Sequence, residues 1–130
     1  MATDTEVREA LADSLSAVEG LRGHAYTPGQ LQGRDAVVIE VNVDFDAAMQ
    51  RGADEMNVVV RLLVGGDMRS AQQRLSGLVY TVRDRLWTDN TLDGTVSDCR
   101  LHRKRGDSEG QIDVGGSTFA VVDLEVQIIT

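Results

Sequence analysis

One segment, "MNVVVRLLV" at residues 56–64, predicts a strand that is apolar on both faces, and this restricts the fold more than any other part of the chain. Successive side chains of a β-strand point to opposite faces of the sheet. One face carries only apolar side chains: Met56, Val58, Val60, Leu62 and Val64. The opposite face carries Val59 and Leu63, together with Asn57 and Arg61. A sheet that contains this strand therefore needs cover on both sides.

Two amphipathic helices are predicted, and together they can cover one side of such a sheet. The first begins with Thr3 and Glu6 at capping-box spacing and ends at Gly20. Its apolar stripe consists of Val7, Leu11, Leu15 and Val18. The second helix is longer and is capped by Asp67 or Ser70. Its apolar stripe consists of Ala71, Leu75, Leu78, Val79, Val82 and Leu86.

Four further strands are predicted from alternating patterns. A strand at residues 36–45 turns four side chains to one face: Val37, Ile39, Val41 and Val43. A strand at residues 96–105 buries Cys99 and Leu101, and its outward side chains are Asp98, Arg100, His102 and Lys104. The last two strands form a hairpin around Gly115 and Gly116, because two successive positive φ angles suit glycine. The final strand turns one apolar row to the core: Ala120, Val122, Leu124, Val126 and Ile128.

The predicted order is α-β-β-α-β-β-β, which indicates a single α+β domain over residues 1–130, with a mostly antiparallel sheet and two amphipathic helices packed on it. The long connection at residues 22–35 is predicted to lack regular structure, as binding loops and mobile segments often do. If both helices lie on one face, the other face keeps five apolar side chains: Val59, Leu63, Phe119, Val121 and Ile129. A monomer rarely leaves such a patch bare. We therefore expect identical copies of the chain to cover it for one another.

The overall composition narrows the possible partners and compartments. A formal charge of −8 disfavours sequence-independent binding to nucleic acid, although it also serves solubility alone. A single cysteine, Cys99, excludes an internal disulfide and fits a reducing compartment. The chain shows neither a signal-peptide pattern at its start nor an apolar run long enough for a bilayer. We expect synthesis in the cytoplasm and no membrane partner.

No motif predicts an active site. His24 and His102 lack partners at metal-ligand spacing. Cys99 is expected to be a buried, inert thiol. The acidic side chains Asp44, Asp46, Asp54 and Glu55 cluster around one loop, without the basic partner that acid–base chemistry would need. The expectation is a protein with no catalytic residues, no metal and no cofactor.

Five segments in a characteristic order carry a resemblance to a known family. They comprise the first helix with its Tyr-x-Pro loop and first strand (7–39), the segment "DFDAAMQRGADEMNVVVRLLV" (44–64), "RSAQQRL" (69–75), "TLDGTVSDCRL" (91–101) and "IDVGGSTFAVVDLEVQI" (112–128). In this order and spacing, the chain resembles the tail terminator, or tail completion, proteins of long-tailed, non-contractile bacteriophages, particularly those that infect actinobacteria. The resemblance covers nearly the whole chain.

The resemblance implies a structural virion protein at the junction of tail and neck. Such proteins form a ring, commonly a hexamer, that caps the finished tail tube, ends the addition of tube protein and offers a joining surface to the head connector. Genomic DNA passes through the lumen without specific binding. The implied partners are further copies of the chain, the tail tube protein and the head-completion or connector protein. The implied location is the virion, after assembly in the host cytoplasm.

Nine residues are candidates for contacts in this ring. Arg51, Asp54 and Glu55 are candidates for charge pairs that set the register between subunits, or for a local ion pair that stabilises their own loop. Val59 and Leu63 belong to the apolar patch that neighbouring copies would cover. Four cations are candidates for contact with an acidic patch on a neighbour or on the tube, or form a solvated hairpin end: Arg100, Arg103, Lys104 and Arg105.

Three alternatives remain open at this point. A head-completion or connector protein from the same kind of phage would have a similar size and charge. A cellular α+β protein-binding domain is also compatible, because the fold class is generic. A small enzyme would need a pocket with convergent polar groups, which the sequence does not indicate.

Overall fold

Helices on one face of a mostly antiparallel sheet form the part of the chain that the computed structural model describes, namely residues 2–45, 54–105 and 110–130. The elements in chain order are α1 (Asp4–Ser16), β1 (Arg22–His24), β2 (Arg34–Asp44), β3 (Glu55–Val64), α2 (Met68–Thr88), β4 (Asp98–Arg105), β5 (Gln111–Val114) and β6 (Ser117–Ile129). This confirms the predicted α+β class.

The strands pair in the order β1-β2-β3-β6-β4, and β5 pairs with β6 as well. β4 and β5 both border β6, at different parts of its length. All of these pairs are antiparallel except β1 with β2, which is parallel. β1 lies inside the connection at residues 22–35, for which no regular structure was predicted. Its three residues pair with Asp35, Ala36 and Val37 of β2.

Both helices begin with a predicted cap, and their apolar stripes are buried, but α1 ends at Ser16 and not at the predicted Gly20, so Val18 of its predicted stripe lies in the turn that follows. The Thr3 side chain accepts from the Glu6 backbone N–H at 3.2 Å, and the Glu6 side chain reaches back to Thr3. Of the two candidate caps of α2, Asp67 is the one used, and it accepts from the Ser70 N–H at 3.2 Å. Neither helix in the described residues combines the length and the apolar character that a bilayer span requires.

The main core lies between the helices and one face of the sheet. The predicted inward rows of β3 and β6 are both buried there, as are the apolar stripes of α1 and α2. β3 is the central strand, and it pairs along its whole length with β2 on one side and β6 on the other. The hairpin between β5 and β6 turns at Gly115 and Gly116, whose φ angles are +59° and +85°, as predicted.

A β-bulge at Ile39 makes the predicted faces of β2 wrong. The register with β3 shifts between Val38 and Glu40, so one residue of β2 is inserted. Val38 and the later residues Val41 and Val43 therefore contact the main core, whereas Val37 and Ile39 lie on the opposite face. Strict alternation could not show this, because a bulge changes the faces of all the residues that follow it.

The Cys99 thiol of β4 is buried in the main core, as predicted. Burial, together with the nearby charges of Asp98 and Asp89, raises the pKa of this thiol from 9.0 to about 12. The group therefore stays protonated throughout the range of ordinary buffers.

We predict that Cys99 reacts with a disulfide reagent at pH 8 at least about a hundredfold more slowly in the folded chain than in the urea-unfolded chain, because the thiolate is the reactive species. Absorbance of the released thiol measures both rates. Similar rates in the two states would contradict the buried placement.

Candidate interaction surface

The sheet face that the helices leave uncovered divides into an apolar half and a charged half. In the apolar half Val37, Leu63 and Phe119 are buried. Four partly buried side chains pack around these three: Leu31, Ile39, Ile112 and Val121. Leu31 comes from the connection after β1, and Ile112 comes from β5. The chain therefore supplies much of its own cover on this side.

This cover overturns the prediction that the second face stays bare in a single copy. Leu63 and Phe119 are buried under the connection and the hairpin, and Val59 is buried between Glu40 and Glu125 in the ladder of strands. Only Val121 and Ile129 of the predicted patch keep intermediate exposure. Val59 and Leu63 are thus buried residues of the subunit, and Leu63 also lines an opening that this cover leaves.

A buried carboxylate holds the covering connection in place. Asp35, which is fully buried, accepts from the backbone N–H groups of Gln32 at 2.9 Å and Gly33 at 3.0 Å. Its other oxygen lies 2.8 Å from Nε2 of His24. Arg8 of α1 adds two hydrogen bonds, to the carbonyls of Ala25 at 3.0 Å and Val38 at 2.9 Å. Sequence reasoning missed this role of Asp35, although an acidic residue that directly follows a loop is a common partner for loop N–H groups.

The cover leaves a mostly apolar groove of about 160 Å³. Three residues of the connection line it, Thr27, Pro28 and Leu31, and so do residues of β2 and β3, including Ile39. Ile112 and Val114 of β5 also line it, and Val114 is 40% exposed. A groove of this size can accept one apolar side chain from outside.

The charged half of the same face is a ladder of paired side chains. Arg61 of β3 binds Asp123 of β6 through two hydrogen bonds, at 2.8 and 3.1 Å. The hydrogen bond to Asp123 raises the pKa of Arg61 against the opposing effect of burial. Both side chains are partly buried and bind each other, so this pair contributes to the subunit itself.

The basic edge strand β4 continues this ladder, and a second bulge decides which cations belong to it. The register with β6 shifts between Leu101 and Arg103, which puts Arg103 and Arg105 on the same face as Arg100 and turns Lys104 to the other. Simple alternation had predicted the reverse for these residues. Arg100 donates to Gln127 at 2.8 Å, while Arg103 and Arg105 lie 3.6 and 3.3 Å from Glu125. The side chains of Arg103 and Arg105 remain more than half exposed.

Two of the remaining candidates, Asp54 and Glu55, lie at the other end of β3, where they contact their own chain. Asp54 is buried, and its backbone forms hydrogen bonds with Thr130 at 2.9 and 3.0 Å. Glu55 accepts from the Gln127 side chain at 2.6 Å. Arg51 lies outside the described residues. These contacts attach Asp54 and Glu55 to β6 and Thr130, and their predicted roles between subunits stay predictions.

An acidic cleft of about 460 Å³ lies between α1 and the turn that follows α2. Its charged lining consists of Glu6, Glu9, Asp13, Arg85, Asp89 and Asp93. Arg85 and Ser14 both bind Asp89, at 3.3 and 2.8 Å, and so tie the two helices together. Within the described ranges, no group of three or more histidine, cysteine or acidic side chains is arranged to hold a metal ion.

No protein-family model and no curated protein matches this chain.

We predict that Asp35→Ala lowers the free energy of unfolding by roughly 2–4 kcal/mol, because two loop N–H groups and His24 lose their buried acceptor. Urea denaturation measures the change. Asp13→Ala, which removes an exposed carboxylate from α1, serves as the control and should cost less than about 0.5 kcal/mol. Equal effects of the two substitutions would contradict the anchoring role of Asp35.

Proposed function

We propose that the protein is a structural virion component that forms a ring on the phage tail tube, ends tube polymerisation and provides the surface to which the head connector joins. The proposal is of a non-catalytic protein whose partners are further copies of itself, the tube protein and the connector. Its support from sequence is the resemblance over five segments in order. Its support from geometry is a pair of unlike surfaces on one subunit.

The observation that carries the proposal is the difference between these two surfaces. One is the apolar groove beside Val114, and the other is the basic edge strand β4. A ring forms through a heterologous contact, in which one patch of each subunit binds a different patch of the next. The groove offers a place for an apolar side chain, and β4 offers exposed guanidinium groups and an open edge of the described sheet.

The role of the charged candidates within this proposal follows from their exposure. Arg103, Lys104 and Arg105 are exposed, so they can reach an acidic surface on a neighbour or on the tube. Arg103 and Arg105 share Glu125, and exposed pairs of this kind contribute little stability to the subunit. These cations can therefore bind acidic groups of a partner with only a small loss of subunit stability.

The net charge is compatible with DNA passage through the lumen. Each subunit carries −8, and a ring multiplies this charge. A surface of one sign repels the phosphate backbone, so DNA can slide past without being bound. In this proposal genomic DNA passes through the lumen, and the lumen contains no sequence-specific binding site.

We predict that Val114→Glu prevents ring assembly while the subunit stays folded, because it places a charge on the exposed lip of the groove. The matched control is Gln111→Glu, which adds the same charge to β5 on the opposite face of the sheet. Native mass spectrometry and electron micrographs, with and without tail tubes, measure assembly, and circular dichroism checks folding. If both variants form rings, the groove is not part of the interface between subunits. If the wild-type protein forms no rings with tail tubes present, the proposal is contradicted.

A second measurement separates this function from its alternatives. In a phage that lacks the gene for this chain, we expect overlong tails, because nothing ends tube polymerisation. Tails of normal length that remain unattached to heads would indicate a head-completion or connector protein instead. Normal virions would point to the cellular protein-binding alternative.

A further inference from the structure

The end of the edge strand β4 carries an excess of positive charge that its own chain does not neutralise. Arg103, Lys104 and Arg105 are consecutive and exposed. Arg103 and Arg105 share the carboxylate of Glu125, at 3.6 and 3.3 Å. Three cations around one carboxylate leave this end of the strand with a formal charge of +2. We call these three residues the basic end of β4.

The acidic cleft between α1 and the turn after α2 has the opposite excess. Glu6, Glu9 and Asp13 are spaced by three and four residues, so they lie on one exposed stripe of α1. Like charges at this spacing destabilise a helix, and nearby cations would relieve the repulsion. Arg85, the cation in the described lining, is already bound to Asp89. Five acidic side chains and one arginine give the lining a formal charge of −4.

These two charged surfaces cannot meet within one chain. Asn90 donates to Asp98 at 3.3 Å, so the first residue of β4 lies beside the turn that borders the cleft. From there β4 runs to Arg105, seven residues further on, which is roughly 20 Å at the rise of a β-strand. Arg103 and Arg105 also lie on the sheet face opposite the helices, because they flank Glu125. The complementary charges can therefore meet only between copies.

The same cations decide how β4 can be contacted. Charged side chains on an edge strand, lysine above all, oppose pairing with another sheet edge. Two β4 edges would bring arginine against arginine, so β4 does not pair with the β4 of a second copy. An acidic surface outside the sheet has no such conflict. Among the described residues, the cleft is a surface of this kind that every copy of the chain carries.

We propose that the basic end of β4 in one copy docks in the acidic cleft of the next copy. The contact is heterologous, because each copy presents both surfaces and uses each of them once. The inference rests on the proposed ring for its setting, and it names the surface that β4 binds there. The pairs of Arg103 and Arg105 with Glu125 are exposed, so their rearrangement in the contact has little effect on subunit stability.

The first test reverses charges in the full-length chain at low salt, without tail tubes, and measures association by sedimentation. Lys104→Glu with Arg105→Glu makes the end of β4 acidic, whereas Glu9→Lys with Asp13→Lys makes the cleft basic. Each of these two double variants should associate at least about tenfold more weakly than the parent chain. An equimolar mixture of the two should associate again, because both contacts between unlike variants are attractive. A chain with all four substitutions should associate alone for the same reason.

Matched controls change the net charge by the same amount at exposed sites outside the two surfaces. Arg69→Glu with Arg83→Glu is the control for β4, and Glu19→Lys with Asp84→Lys is the control for the cleft. Both controls should associate as the parent chain does, and circular dichroism checks that every variant is folded. Association of the parent chain should weaken as salt is added, since exposed charges are screened.

Lys104 is the only lysine of the chain, which permits a second, more specific test. A carbodiimide joins an amine and a carboxylate that touch into an amide, and the reagent takes up the water that is lost. In a mixture of isotope-labelled and unlabelled chains, peptide mapping should find Lys104 of one copy joined to acidic side chains of the cleft in another, namely Glu6, Glu9, Asp13 or Asp93. Glu9→Gln with Asp13→Asn should lower this yield, and Glu19→Gln with Asp84→Asn should not.

Four results would overturn the inference. They are a parent chain that stays monomeric at low salt and high concentration, charge-reversed variants that associate as the parent does, a mixture of the two variants that stays dissociated, and Lys104 crosslinks confined to single copies. Binding of duplex DNA that is lost in Lys104→Glu with Arg105→Glu would assign the basic end to phosphate instead.

Failure of this contact is distinguishable from failure of the proposed function. If both charge-reversed variants form rings on tail tubes, the contact is wrong and the proposed ring stands. If the chains associate through these charges but the wild-type protein forms no rings on tubes, the contact stands and the proposed function is wrong.

Discussion

The strand β3 is apolar on both faces, and the rest of the structure depends on covering it. It lies in the middle of the sheet and pairs along its whole length with β2 and β6. Its inward row and the matching row of β6 belong to the main core, to which the buried stripes of both helices also belong. Burial of apolar surface is the dominant favourable term in folding, so this doubly apolar strand sets where every other element must lie.

The second face of β3 is covered by the chain itself, and this changes what remains for a partner. The connection after β1 and the short strand β5 bury Leu63 and Phe119. Asp35 makes this possible, because it satisfies two backbone N–H groups and His24 at a site that water does not reach. Assembly therefore does not have to complete the core of the subunit. Among the described residues, a small groove and the basic edge strand β4 remain accessible to other molecules.

The groove and β4 differ in chemistry, and each suits a different kind of contact. The groove is apolar and narrow, so it selects by shape, whereas β4 presents guanidinium groups that select by charge. A contact between these unlike surfaces, or between either and a tube protein, is directional and suits a ring. Because the groove and β4 share no residues, substitutions can test their roles separately.

Some of this structure follows from local sequence, and some follows only from the packed sheet. The caps of both helices, their buried stripes, the alternating rows of β3 and β6 and the glycine hairpin were all predictable, because each depends on neighbours within a few positions along the chain. The bulges in β2 and β4 were not, since an inserted residue is defined only by the register of the partner strand. Because of the bulge in β2, Val37 lies on the opposite face from Val41 and Val43, outside the main core. Because of the bulge in β4, Arg103 and Arg105 lie on the same face as Arg100. The cover over Leu63 could not be predicted from local sequence either. Leu31, Ile112 and Asp35 are far from β3 in sequence and come close to it only when the sheet has formed.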